Sequence, residues 1–123
     1  MKTILLVEDD PFLTDIYRTK LKSSGFEVEV AADGVQCLGM LKEKKFDLVI
    51  LDIVLPQMDG WEVLSKIQNS KIKNQNNLKI IILSNLGQRK EVEKGLKLGA
   101  IKYLIKAQYT PSEVVEEIKK VLK

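Results

Sequence analysis

The sequence predicts an α/β domain, a doubly wound five-stranded parallel sheet with five helices. Three observations carry that expectation. Short apolar runs at residues 4–7, 48–51, 80–83 and 103–105 are rich in Ile, Leu and Val, as befits strands buried on both faces of a parallel sheet. Segments with helical spacing of apolar residues lie between them, so strand and helix alternate along the chain. Each run also stops at a polar residue with reactive chemistry: Glu8-Asp9-Asp10, Asp52, Ser84 and Lys106.

The elements follow in order. After the first strand, Asp10 can cap a helix with Pro11 at its first position. Leu13, Ile16, Tyr17 and Leu21 give its stripe and Gly25 its stop. Residues 26–30 (FEVEV) alternate with period two, as a strand with one wet face does. Asp33-Gly34 opens a second helix carrying Val35, Leu38 and Leu41, and residues 47–53 form the central strand. Asp59 with Glu62 makes a capping-box pattern for a third helix, with Val63, Leu64 and Ile67 inward. The polar, Asn-rich stretch 68–77 reads as a loop, and residues 78–83 as the fourth strand. A fourth helix spans about 88–98 and ends at Gly99. Residues 101–105 are the fifth strand. Thr110-Pro111-Ser112-Glu113 starts a last helix with Val114, Val115, Ile118, Val121 and Leu122 on its apolar face. Right-handed crossovers then give the flavodoxin-like strand order 2-1-3-4-5.

Composition narrows the chemistry. At 123 residues the chain fits one domain with a real core, and no internal linker or repeat divides it. The chain contains no His, which removes Ser-His-Asp and Cys-His catalysis, imidazole-bound zinc and phosphohistidine chemistry of its own. The single Cys37 excludes an internal disulfide and reads as a small apolar residue on a helix face. No apolar stretch reaches membrane-spanning length, and Glu8-Asp9-Asp10 cuts off the first run too early for a secretory signal. A cytoplasmic protein without membrane insertion is expected. The net charge of +3 is small and its lysines alternate with glutamates, so direct nucleic-acid binding is not expected.

In an open α/β sheet, ligands bind at the carboxyl ends of the strands. Glu8, Asp9, Asp52, Ser84 and Lys106 would therefore converge. Carboxylates crowded together repel, and oxygen-only ligands favour a hard divalent cation such as Mg²⁺. Asp52, on the central strand and followed by the apolar Ile53-Val54-Leu55, is best placed as a phosphoryl-accepting nucleophile. Lys106 would supply a cation for the transferring oxygens and Ser84 a hydrogen bond. Taken singly, Asp10 is a helix cap, Ser84 a turn residue and Lys106 a surface charge. Their consistent placement at strand ends argues against coincidence.

These residues resemble the receiver domain of two-component response regulators, over essentially the whole chain. Residues 4–11 (ILLVEDDP) resemble the family's acidic-pair segment, and residues 52–60 (DIVLPQMDG) its phosphoacceptor signature. The resemblance implies Asp52 as the phosphorylated residue. It implies Glu8 and Asp9 as the acidic pair, Asp9 being the more direct Mg²⁺ ligand, with the Val54 backbone carbonyl also on the metal. Ser84 and Tyr103 match the switch positions and Lys106 the family's lysine. Residues 1–123 are expected to be a single receiver with no output domain in this chain. By the same resemblance the protein is not an enzyme. It takes a phosphoryl group from the phosphohistidine of a sensor histidine kinase or phosphotransfer protein, then repacks its fourth-helix, fifth-strand and fifth-helix face. That face would control a downstream protein target or form a homodimer.

Two departures stand out. The family's lysine is usually followed by proline, often with a cis peptide bond, whereas Ala107 follows here. Lys106 then reaches the site along a different loop path or with tolerated strain. The residue after Ser84 is usually small but is Asn85 here, which would narrow access or contact the phosphate. Val54 and Leu86, apolar at positions that influence water access, imply slow self-dephosphorylation. Trp61, near the start of the third helix, is either an exposed interface residue or ordinary packing. The rivals are a phosphorylation-independent binding module, an aspartyl-phosphate phosphohydrolase and a flavin-binding flavodoxin. The phosphohydrolase needs a second Asp where Val54 stands, and in the flavodoxin Glu8-Asp9-Asp10 would repel the flavin phosphate.

Overall fold

A computed structural model describes residues 1–69, 72 and 77–122. Among these, strands β1 (Thr3–Val7), β2 (Glu27–Ala31), β3 (Leu48–Leu51), β4 (Lys79–Ser84) and β5 (Lys102–Ile105) are all parallel, in the order β2-β1-β3-β4-β5. Helices α1 (Pro11–Ser23), α2 (Gly34–Glu43), α3 (Gly60–Asn69), α4 (Arg89–Lys97) and α5 (Pro111–Val121) connect and follow them. The fold class and strand order expected from the sequence are those observed.

Alternation along the strands builds two cores. Ile4, Leu6, Leu48, Ile50, Ile81 and Leu83 pack on one face against Tyr17 and Leu21 of α1 and Val114, Val115 and Ile118 of α5. Leu5, Val7, Val49, Leu51, Ile80 and Ile82 pack on the other against Cys37 and Leu41 of α2 and Val63 and Leu64 of α3. Each such side chain contributes about 1.5–3 kcal/mol of burial. The continuous Ile/Leu/Val runs are thus the price of a sheet covered twice. Burial pushes the Cys37 thiol up to about 12, so it behaves as an inert core residue.

Capping sets the helix starts. The Asp10 carboxylate accepts from the Phe12 and Leu13 N–H groups, and Asp33 accepts from Gln36. Thr110 and Glu113 form a reciprocal capping box at α5. Gly25 and Gly99, past the ends of α1 and α4, take positive φ as helix-stopping residues do.

Several expectations are corrected. Strand β3 is shorter than residues 47–53, so Asp52 stands just beyond it, where a side chain is free to enter a site. The period-two pattern of β2 is broken, because Glu29 and Val30 are both half-buried at the sheet edge. Val35 is exposed, and Cys37 joins Leu38 and Leu41 on the inward face of α2 in its place. As expected, Asp59 caps α3, accepting from the Glu62 N–H at 2.9 Å. Helix α3 runs on to Asn69, so the loop expected over 68–77 begins later. Residues 70, 71 and 73–76 of that stretch lie outside the described residues. Trp61 is half-buried, with the Lys94 ammonium 4.4 Å from its ring centroid.

Gly60 ties the fold to the end of β3. Its N–H donates to the Ile53 carbonyl at 2.8 Å. A Cβ there would lie 2.3 Å from the Asp52 carbonyl oxygen and 2.6 Å from Ile53 Cα. Those are backbone atoms and cannot swing away. Gly60→Ala is therefore expected to cost about 2 kcal/mol and lower Tm by roughly 10 °C, checked by thermal melting. An unchanged melting temperature would contradict this close approach.

Candidate functional site

Strand register delivers the acidic residues. Val7 pairs with Leu51, so Glu8 and Asp52 leave adjacent strands side by side. The Asp52 N–H still donates to the Val7 carbonyl at 3.2 Å, and the Glu8 N–H to the Ala31 carbonyl at 3.1 Å. The backbone is held to the last residue before the site. This is also the point at which the chain switches direction across the sheet, since β2 lies on one side of β1 and β3 on the other.

Lys106 comes from two strands away. Ser84 pairs with Ile105, placing Lys106 just past the end of β5. Reaching β3 means crossing the end of β4, roughly 9–10 Å at ordinary strand spacing. The small Ser84 side chain, fully buried, leaves that path open. Lys106 begins a single 3₁₀ turn, Lys106–Gln108, that the sequence did not announce, and the described peptide bonds are trans. The loop path is therefore the alternative realised at Ala107.

The Lys106 ammonium lies 2.5 Å from Asp52 Oδ2 and 2.6 Å from Glu8 Oε1. Asp52 Oδ1 accepts from the Val54 N–H at 3.2 Å, and Glu8 Oε2 accepts from the Asp10 N–H at 3.1 Å. Both carboxylates are thus held at both oxygens, with Asp52 5% and Glu8 4% exposed. Thr14 secures the Glu8 backbone from α1, its hydroxyl donating to the Glu8 carbonyl at 3.4 Å. Burial pushes the Glu8 carboxyl above its ordinary range despite the bonds from Lys106 and Asp10. Burial also pulls the Lys106 ammonium down, but hydrogen bonds and charge from Asp52 and Glu8 outweigh it and hold it above its ordinary value.

Asp9 is exposed and completes the cluster. Glu8, Asp9 and Asp52 each offer an oxygen within 4.8 Å of the others. Three carboxylates against one ammonium leave an excess of negative charge, two of the acids being buried. An all-oxygen donor set of that charge suits a hard divalent cation. The cluster opens into a cleft of about 390 Å³, lined also by Asp10, Leu13, Val54, Asn85 and Lys106.

The structure brings Glu8, Asp9, Asp52, Val54 and Lys106 together in this cleft. Asn85 also lines it, whereas Ser84 is fully buried and does not. The Ser84 hydroxyl oxygen accepts from the Leu86 N–H at 3.3 Å, and the Tyr103 hydroxyl donates to the Leu86 carbonyl. Ser84 and Tyr103 are therefore linked through the backbone of one residue. Burial first, then the charges of Glu91 and Asp52, push the Tyr103 phenol up to about 12, so it stays a donor. The sequence reading missed the Asp10 N–H and Thr14 as supports of Glu8. Asp10 carried a signal only as a cap, and Thr14 carried none.

The sequence matches the response regulator receiver domain over residues 4–119. It is 34% identical over 123 residues to the chemotaxis protein CheY of Thermotoga maritima, covering 99% of this chain and 98% of that protein. It is 32% identical over 122 residues to the alkaline phosphatase synthesis transcriptional regulatory protein PhoP of Bacillus subtilis, covering 99% of this chain and 49% of that protein. The chain spans about half the length of this and several other curated relatives. Among solved structures, a CheY-like receiver domain protein from Methanospirillum hungatei superposes with TM-score 0.88 at 31% identity, covering 99% of this chain and 94% of that one. The response regulator TrrA from Thermotoga maritima, solved in complex with Mg²⁺-BeF, gives TM-score 0.82 at 31% identity, covering 98% of both. With its strand order, its three clustered acids and its lysine from β5, the chain belongs to the receiver domains of two-component response regulators.

Proposed function

We propose that the protein is a phosphoacceptor that takes a phosphoryl group onto Asp52 and signals the change to a protein partner. The donor would be the phosphohistidine of a sensor histidine kinase or phosphotransfer protein. Its P–N bond breaks as a P–O bond to the Asp52 carboxylate forms. The observation that carries this reading is the Asp52 carboxylate itself: buried, fixed by Val54 N–H on one oxygen and Lys106 on the other, yet facing an open cleft. Fixing both oxygens removes rotational freedom that the transfer would otherwise have to overcome.

Glu8, Asp9 and Asp52, with the Val54 carbonyl, would hold Mg²⁺. Bound there, the ion supplies charge neutralisation for the phosphoryl oxygens. Lys106 would add positive charge for the same oxygens through the N–H that Asp52 and Glu8 leave free. The TrrA relative solved with Mg²⁺-BeF supports the assignment by likeness. No step requires the chain to turn over a substrate, so the protein acts as a switch and not as an enzyme. No helix among the described residues is long and apolar enough to cross a membrane, and a cytoplasmic location goes with this reading.

Phosphorylation adds roughly −1.5 to −2 charge and three acceptor oxygens. Drawing the Ser84 hydroxyl toward them would release the Leu86 N–H and loosen the loop whose carbonyl Tyr103 holds. The face of α4, β5 and α5 would repack, the surface offered to a downstream protein or a second copy.

Three outcomes test this. Incubation with Mg²⁺ and acetyl phosphate should add one phosphoryl mass to the wild type and none to Asp52→Asn. Label persisting in that variant would contradict the acceptor assignment. Lys106→Ala should lose about 3 kcal/mol near neutral pH, because two buried carboxylates lose their cation. With its carboxyl raised by burial, Glu8 takes up a proton more readily folded than unfolded. The loss should therefore shrink as pH falls and Glu8 takes up its proton, read from urea midpoints. Finally, Val54→Asn and Leu86→Glu should each shorten the lifetime of the label, as polar groups admit water, and unchanged decay in both would refute that role.

A further inference from the structure

Asn85 follows the last residue of β4, is exposed, and lines the same cleft as Glu8, Asp9, Asp52, Val54 and Lys106. Its side-chain amide has no hydrogen-bond partner among the described residues. The neighbouring donors are partly committed, and the third Lys106 N–H and the Ser84 hydroxyl are the ones open to a phosphoryl oxygen. Lys106 serves Asp52 and Glu8, the Val54 N–H serves Asp52, and the Leu86 N–H serves Ser84. A phosphoryl group on Asp52 would bring three acceptor oxygens to a cleft whose remaining donors are few. A carboxamide offers two N–H donors without adding charge, so it satisfies an oxygen and leaves the Lys106 pairing undisturbed.

We propose that Asn85 is a phosphoryl-binding residue, its side-chain N–H donating to an oxygen of the group carried by Asp52. The inference rests on Asp52 as phosphoacceptor and adds to it a donor contributed by this chain's own side chain. It also separates two roles for a residue of this size at the cleft wall, a donor and a mere obstruction. Removing a donor weakens binding of the anion, whereas removing an obstruction strengthens it.

The test is calorimetric titration of beryllofluoride, in the presence of Mg²⁺, into the wild-type chain and its Asn85→Ala, Asn85→Leu, Asn85→Gln and Asn85→Asp variants. Asn85→Ala and Asn85→Leu should each weaken binding roughly tenfold, as expected for one lost hydrogen bond to a charged group. Asn85→Gln should recover part of that loss. Asn85→Asp should lose more than Asn85→Ala, with the excess reduced by added salt. Affinity for Mg²⁺ alone and the melting temperature should not change in Asn85→Ala. If Asn85→Ala binds beryllofluoride as well as or better than the wild type, or loses Mg²⁺ affinity in parallel, the assignment of Asn85 is overturned while the acceptor reading stands. A wild type that takes up no beryllofluoride overturns both.

Discussion

Two buried carboxylates sharing one ammonium form the constraint on which the rest of the structure depends. Asp52 and Glu8 sit side by side with almost no exposure, and Lys106 bridges them at 2.5 and 2.6 Å. Removing carboxylates from water is expensive, and like charges at such range add to the cost. One lysine offsets part of it. The N–H groups of Val54 and Asp10 offset more. With Asp9 added, the cluster keeps an excess of negative charge that a further cation would relieve.

The scaffold exists to enforce that arrangement. The ends of β1, β3 and β5 supply it, with β4 between the last two, and their spacing is fixed by strand pairing up to Val7, Leu51 and Ser84. Cores on both faces lock the strands against slipping, because a one-residue shift would exchange the two faces. Gly60 brings the start of α3 against the Asp52 backbone, and Thr14 secures Glu8 from α1. Helix α4 is anchored more lightly, with Gly95 its only buried residue among those described. Its neighbours include the Tyr103 ring and, through Lys94, Trp61. A lightly held helix beside the Ser84–Leu86–Tyr103 connection is where a local change in charge would find the least resistance.

Much of this was legible in the sequence, for physical reasons that can be named. Unbroken Ile/Leu/Val runs require double coverage, which yields the parallel sheet; polar residues ending those runs fall at the carboxyl edge. Helix starts at Asp10, Asp33 and Thr110 were legible because caps are local chemistry. What was not legible depends on tertiary contact. Cys37 displaced Val35 from the core of α2 because the helix phase is set by the sheet beneath it. The 3₁₀ turn at Lys106–Gln108 follows no local signal in Lys-Ala-Gln. Thr14 has a second role as support for Glu8 that no spacing pattern encodes.

The central claim is that this acidic cluster retains unneutralised charge and is completed by one divalent cation. Titration of Mg²⁺ into the metal-free chain near neutral pH, followed by calorimetry and thermal melting together, tests it most directly. The account predicts one saturable site per chain and a melting temperature that climbs with ion concentration, worth about 2.7 kcal/mol at a hundredfold excess over Kd. An affinity lost in Asp9→Ala would place the ion among these acids. No saturable binding, or binding indifferent to Asp9 and Asp52 alike, would contradict the account.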